Sequence, residues 1–407
     1  MEQEKIIDKE TSYSVSISGG KVEALRINEN LKTVIRVYDE GKIGIAGRIG
    51  DGDDKKLLKE AKEKLSQNIA YPCNLSENVN KEVDDVKPII PADGYVKAIK
   101  SLMAKLNAAY PDFIFSNKIN MGVGETVYEN SKNTRLAYRG SEIGGALVIK
   151  EKSSANIMDL SYGFDCNCFD EDKIISDIGK LLNVYNKKVD MPKGDVPVII
   201  SAMDVLQYGV QHLIAELYVT GSSLLNGKLG EKVFDEKVNI LTDRTPHRRP
   251  GLCFFDSEGV INPDYKFHFV KDGVFSGLAT YKRSAANFNL PLSGGGYAPF
   301  DEVPSVSGIG FKVERTDSLE NLVKGKAIFV YVTSGGDMTP DGTVGLPVQV
   351  AYLYDNGKLV GRLPEFGING NLFDFLGKDF IGVARNDIFD FCEDDVLVAK
   401  FNVNNVK

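Results

Sequence analysis

Apolar and polar positions alternate along residues 11–48 in short runs: Tyr13, Val15 and Ile17, then Val22 to Ile27, then Ile35 and Val37 followed by Ile43 and Ile45. Gly19-Gly20 and the stretch Asp39-Glu40-Gly41-Lys42 fall at the reversals, where a tight turn needs positive φ. The pattern predicts an antiparallel meander. The period then changes, because Leu57, Leu58, Ala61 and Leu65 follow Asp54 at helical spacing, with Asp54 as the N-cap acid and lysines on the outer face. Residues 69–93 carry Pro72, Pro88 and Pro91 with little periodicity and read as a connecting loop. Val96, Ile99, Leu102, Met103 and Leu106 make the stripe of a second helix that Pro111 stops. Strand patterns return from Phe113 to Phe164, with turns expected at Asn130-Ser131 and Arg139-Gly140. Ile174, Ile175, Ile178, Leu181, Leu182 and Tyr185 then carry a third helix.

Asn186 to Val196, with Pro192 and Gly194, reads as a linker. After a strand at Val196 to Ile200, residues 204–218 set Leu206, Val210, Leu213, Ile214 and Leu217 on one helical face. Tyr208, His212 and Glu216 stand at i, i+4 and i+8 on the other. Beyond Gly221, strand-like runs separated by glycines include Val238 to Leu241, Lys266 to Val270, Gly273 to Leu278, Ala327 to Val332, Val348 to Leu353 and Val396 to Phe401. The fold class that follows is α+β in two domains. Residues 1–190 form an antiparallel sheet with packing helices, and residues 191–407 a glycine-rich antiparallel β body around a central helix.

Composition narrows the function. With 43% apolar residues the chain buries a large core, and 57 acids against 49 bases leave a net charge of -8. That charge gives no general attraction to nucleic acid or an anionic membrane. Arg248-Arg249 reads as a solvated basic turn. The charged start MEQEKIIDKE and the lack of a long apolar run make a cytoplasmic protein the expectation. Five cysteines, an odd number, argue for reduced thiols, and three histidines exclude a histidine-rich metal site.

The chemistry-bearing candidates are few. His212 and Glu216 lie four apart on one helix and could face one ion, but two ligands hold zinc poorly, and no second histidine accompanies them. Cys166 and Cys168 form a C-x-C without a second pair and read as structural thiols. Gly294-Gly295-Gly296, Gly308-Ile309-Gly310 and Gly335-Gly336 do not sit between a buried parallel strand and a helix start, so a dinucleotide site is disfavoured. Neither G-x-S-x-G nor G-K-[ST] occurs. From the residues alone this is a two-part α+β protein with no identifiable active site.

Several segments taken together carry a resemblance. GKLGEKVFDEKVNILTDRT (Gly227 to Thr245) leads into FFDSEGV (Phe254 to Val260) and VKDGVFSGLATYKRSAANF (Val270 to Phe288). GDMTPDGTVGLPVQVAYLYDNGKLVGRLPEFGINGNLFDFL (Gly336 to Leu376) and GVARND (Gly382 to Asp387) follow in order. The series resembles the C-terminal domain of the TldD/PmbA family, described as modulators of DNA gyrase and as metalloprotease subunits. KTVIRVYDEGKIGIAG (Lys32 to Gly47) and YENSKNTRLAY (Tyr128 to Tyr138) are similar to its N-terminal half, and the front end looks trimmed.

The resemblance implies more than the residues do. A TldD-type subunit carries H-E-x-x-x-H on a helix of the C-terminal domain and a late cysteine as zinc ligands, and its PmbA-type partner lacks the histidine pair. Here the aligned helix offers only His212 and Glu216, and Cys392 stands near the late cysteine's position. These three are a degenerate remnant, so neither a catalytic residue nor a metal ligand is expected, and the substrate-binding residues are left open. The implied role is a PmbA-type, non-catalytic subunit of a cytoplasmic metalloprotease acting on small or unfolded peptides. It would hold no cofactor of its own, with zinc in a TldD-type partner, or act as a homodimer. A homo-oligomeric peptide-binding protein, and a self-sufficient hydrolase using another metal or Cys392, are the alternatives. Phe300, Val303 and Val306 near the glycine runs are expected to be exposed and to serve an oligomer interface.

Overall fold

The computed structural model describes residues 1–307, 309–391 and 394–405. In the first half, β1 (Glu2–Ser18), β2 (Lys21–Asp39) and β3 (Lys42–Ile49) precede α1 (Asp54–Glu63), β4 (Ile69–Ala70), β5 (Asn80–Asp85) and α2 (Ala92–Ala109). Then come β6 (Phe113–Asn130), β7 (Thr134–Glu151), β8 (Leu160–Cys166) and α3 (Glu171–Tyr185). The sheet order is β4-β3-β2-β1-β6-β7-β5, with β8 also pairing β7. The expected meander is present but longer, since the charged first ten residues belong to β1 and pair with both β2 and β6. Gly19 and Gly20, both at positive φ, turn β1 into β2.

Four local expectations are corrected. Asp53, not Asp54, caps α1 by accepting from the Lys55 N–H at 2.9 Å. The stretch 69–93 is not all loop, because β5 pairs parallel with β7. Arg139-Gly140 lies inside β7 and makes no turn, whereas residues 131–133 do link β6 to β7. Phe300 and Val303 are not left to water but pack against the first-half sheet, and Val306 packs on the second-half core.

Alternation along β2 decides what lies on each side. Ile35 and Val37 face α1, while Val34, Arg36 and Tyr38 project to the opposite face. α2 buries Tyr95, Ile99, Leu102, Met103 and Leu106, and α3 buries Ile174, Ile178, Leu181 and Leu182, so both helical stripes read from the sequence are core.

The second half contributes β9 (Val198–Ser201), α4 (Ala202–Val210), α5 (Ala215–Val219), β10 (Ile240–Asp243), β11 (Lys266–Lys271), β12 (Val274–Phe275) and α6 (Lys282–Phe288). These are followed by β13 (Gly296–Tyr297), β14 (Ser305–Val306), β15 (Phe311–Val313), α7 (Leu319–Leu322), β16 (Lys326–Thr333), β17 (Asp337–Met338) and β18 (Thr343–Asp355). The chain closes with β19 (Lys358–Arg362), β20 (Phe366–Asn371), α8 (Leu372–Phe375), β21 (Phe380–Arg385), β22 (Asp395–Ala399) and β23 (Asn402–Asn405). A nine-stranded sheet runs β21-β22-β9-β16-β18-β20-β23, with β17 and β19 on β18, and a smaller sheet runs β12-β11-β10-β15. Apart from the parallel β9–β16 pair, the ladders of these two sheets are antiparallel. The α+β class is thus observed.

Two hydrophobic clusters join the halves. One runs from α2 and α3 to Ile199, Phe329, Tyr352, Phe389 and Phe391. The other sets Ile6, Val34 and Tyr128 against Phe254 and Phe255. Among the described residues no helix is long and apolar enough to cross a membrane.

Candidate functional site

A buried polar network stands where the halves meet. Arg36 on β2 donates to Glu4 on β1 at 2.8 Å and to the Ser257 carbonyl at 2.7 Å. The Tyr38 and Tyr128 hydroxyls also donate to Glu4, at 2.9 and 2.8 Å. Across the junction, Tyr71 donates to Glu258 at 2.5 Å, and the Lys282 backbone N–H donates to the other Glu258 oxygen at 2.9 Å. The Lys282 ammonium donates to the Glu258 carbonyl at 2.7 Å and stands 4.0 Å from Glu4. Asp256 ties the turn together by accepting from the backbone of Glu258, Val260 and Gly296.

Burial raises the Glu258 carboxyl, the Asp256 charge raises it further, and it reaches about 7. Burial also raises Asp256. Burial opposes the Arg36 charge, but Glu4 and its neighbours more than offset this and raise Arg36 above the usual arginine value. Gly296 is required here, because a Cβ would strike the carboxylate of Glu258. None of this network was singled out as chemistry from the sequence, although the segments that hold Arg36, Tyr38, Tyr128, Asp256, Glu258 and Lys282 are those that carry the family likeness.

From this joint the chain segment 278–282 runs beside the element expected to be the central helix. That element is not one helix. α4 ends at Val210, a 3-10 turn covers Gln211–Leu213, and Ile214 is extended before α5 begins. The cause is a strand-like exchange: the Ala279 N–H donates to Leu213 O at 2.7 Å, and the Ala215 N–H donates to Ala279 O at 3.1 Å. Two backbone groups that would continue the helix are taken by a segment distant in sequence. His212 and Glu216 therefore sit on different elements, and the i, i+4 argument for their sharing an ion fails.

The zinc that the fold family implies is tested by His212 itself. Its Nδ1 accepts the Leu224 backbone N–H at 3.2 Å, and burial lowers its pKa, so the ring is neutral with its proton on Nε2. A ligating histidine uses the reverse arrangement, with a bare nitrogen toward the metal and an N–H toward an acceptor. His212 Nε2 and Glu216 Oε2 are both buried without a partner, and among the described residues no three His, Cys, Asp or Glu side chains converge on one point. Cys392 lies outside the described residues. The described residues alone do not assemble a zinc site.

A second feature is a cleft of about 660 Å³ between the halves. Gly145 of β7, Asp165 of β8, Met203 of α4, Lys312 of β15 and residues of the 243–252 loop line it. Arg248 lies in an exposed turn, as the sequence predicts, and there it also pairs with Asp243 and lines this cleft. His247 anchors the same loop to the first half through Asp85 at 3.0 Å.

Residues 193–405 match the family model described as the PmbA/TldA metallopeptidase C-terminal domain. This chain belongs to the TldD/PmbA family. Among curated TldD/PmbA relatives, a metalloprotease of Methanocaldococcus jannaschii is 29% identical over 402 residues, covering 90% of this chain and 86% of that protein. A metalloprotease of Archaeoglobus fulgidus is 24% identical over 407 residues, covering 94% and 91%. Of solved structures, TldE from Thermococcus kodakarensis superposes with a TM-score of 0.82 at 16% identity, covering 100% of this chain and 97% of that one. A Thermotoga maritima protein described as a candidate modulator of a DNA gyrase gives 0.78 at 17%, covering 99% and 96%. At such identities the two structures speak to the fold of a TldD/PmbA protein alone.

Proposed function

We propose that this TldD/PmbA protein is the PmbA-type subunit of a two-component cytoplasmic metalloprotease, that it carries no catalytic zinc, and that a TldD-type chain supplies the metal that cleaves small or unfolded peptides. One observation carries this reading: His212, the sole histidine on the aligned element, turns a lone pair toward the Leu224 N–H and sits across a helix break from Glu216. Hydrolysis at zinc needs three protein ligands, an open position for water and a base beside it, and the described residues offer no such set. What the chain contributes instead is a rigid joint and a cleft, either of which suits a partner that shapes access to another subunit's metal.

Reconstitution tests it. The isolated chain is expected to cleave no unfolded peptide, and cleavage should appear on mixing with a TldD-type subunit and vanish with a chelator. Cys392→Ser should leave that activity within about twofold, because a thiol without partner ligands stabilises no charge at the reacting carbonyl. Cleavage by the chain alone, insensitive to chelator and lost in Cys392→Ser, would favour a thiol hydrolase instead.

A further inference from the structure

Beside the cleft between the halves lies a smaller cavity of about 220 Å³, which shares Gly163, Ser201 and Asp394 with it as lining residues. Three stretches of the second half meet at this cavity. One holds Ser201 at the end of β9 and Asp204 in the first turn of α4, the second holds Asn386 just after β21, and the third holds Asp394 just before β22. The β ladders bring these stretches together. Ser201 is opposite Val396 in the β9–β22 pair, and the Asn386 N–H donates to the Asp394 carbonyl at 2.9 Å.

The side-chain oxygens gathered here lack donors. Asn386 is only 6% exposed, and its side-chain oxygen is buried without a hydrogen bond. A buried carbonyl in that state is costly unless something outside the chain pairs with it. Ser201 is the N-cap of α4, yet its hydroxyl accepts no helix N–H as a capping serine ordinarily does. The Asp204 carboxylate has no hydrogen-bond or ion-pair partner among the described residues, and burial raises it, with the Asp394 charge raising it further. No base opposes that repulsion, because no Lys, Arg or His lines the cavity among the described residues. The bases of the adjoining cleft face other acids. Arg248 pairs with Asp243 and Arg315 with Asp395, Lys312 stands in the field of the same two acids, and Arg249 acts on Asp165.

We propose that this cavity is a calcium site, in which the Asp204 and Asp394 carboxylates, the Asn386 side-chain oxygen and the Ser201 hydroxyl hold one ion, with water completing its shell. The set is all oxygen, which suits a hard cation and not zinc, whose ligands are chiefly nitrogen and sulfur. Only two of its members are acids, so it is compatible with the absence of any convergence of three His, Cys, Asp or Glu among the described residues. Calcium accepts an irregular shell that mixes carboxylates with neutral oxygens, whereas magnesium demands a near-ideal octahedron and gives up its water reluctantly. Bound there, the ion cancels the repulsion between Asp204 and Asp394, pairs the stranded Asn386 oxygen, and fastens the first turn of α4 to the link between β21 and β22. This goes beyond the subunit reading, because the ion takes no part in hydrolysis and its binding does not depend on where zinc is held.

Terbium luminescence on the full chain decides it, with calcium and magnesium as competitors. Tyr162 and Tyr331 line the cavity and the chain has no tryptophan, so light absorbed by tyrosine should excite a Tb³⁺ ion seated there. Emission is expected, and Ca²⁺ should displace it with a Kd at or below about 1 mM, at least about tenfold better than Mg²⁺. Asp204→Asn should weaken Ca²⁺ binding by about tenfold or more, and Asn386→Leu by about threefold or more. Without calcium, Asp204→Asn should melt no lower than the unaltered protein, because the repulsion from Asp394 is gone, and calcium should raise the Tm of the unaltered protein more than that of either variant. The comparison of cations on the unaltered protein keeps the test decisive even if a variant folds poorly. Absence of saturable Ca²⁺ binding by about 1 mM, displacement by Mg²⁺ as readily as by Ca²⁺, or unchanged binding in both variants would overturn the proposal.

Discussion

Replacing Arg36 with methionine is expected to cost about 3–5 kcal/mol of stability, the typical loss when one partner of a buried ion pair is removed. The Arg36 and Glu4 side chains are only 2% and 0% exposed, so water cannot take the place of either. Glu4 would keep the Tyr38 and Tyr128 hydroxyls but lose its closest cation, with Lys282 left 4.0 Å away. The Ser257 carbonyl would also lose its donor, and with it the second half would lose a direct tie to β2. Urea or thermal unfolding checks this, and the double variant Glu4→Gln/Arg36→Met should recover part of the loss, because the stranded charge then disappears with its partner. A double variant no more stable than the single one would mean that Arg36 acts through packing and not through charge.

Stability should also fall as pH rises from about 4.5 to 7, by on the order of 3 kcal/mol. Glu258, raised to about 7 by burial and by Asp256, keeps its proton in the folded protein over a range where the unfolded chain releases it. Above pH 4.5 the native state therefore binds more protons than the unfolded one, and each step upward in pH favours unfolding until Glu258 itself ionises. Asp256 is raised in the same direction and titrates with it as a pair. The charged form then stands beside Asp256 with Tyr71 and the Lys282 backbone as its donors. Comparing urea midpoints at pH 5 and pH 8 for the unaltered protein and for Glu258→Gln measures the effect. The glutamine variant should show a flatter profile, and identical slopes would exclude Glu258 as the source.

The helices that periodicity found are those whose stripes meet one continuous partner surface. Tyr95 to Leu106 and Ile174 to Tyr185 are of this kind, and their residues are buried as the spacing implies. The break at Ile214 escaped because the apolar period runs through it undisturbed, and what ends the helix is a pair of hydrogen bonds from Ala279, far along the chain. β5 was hidden by its composition, since NKEVDD is a half-exposed edge strand with two buried positions, Val83 and Asp85. Gly140 looked like a turn residue, but it makes room for the Tyr138 ring inside a strand. The buried joint is assembled from positions 4 to 282, and no local pattern announces such a set. Its trace was nevertheless in the sequence, in the segments RVYDEG, YENS, FFDSEGV and ATYKRS that carry the family resemblance.

Metal content of the chain purified by itself tests the central claim most directly. Elemental analysis should find far less than one zinc per chain, and His212→Ala should leave the value unchanged, because the His212 lone pair is already given to the Leu224 N–H. About one zinc per chain, lost in His212→Ala, would contradict the account.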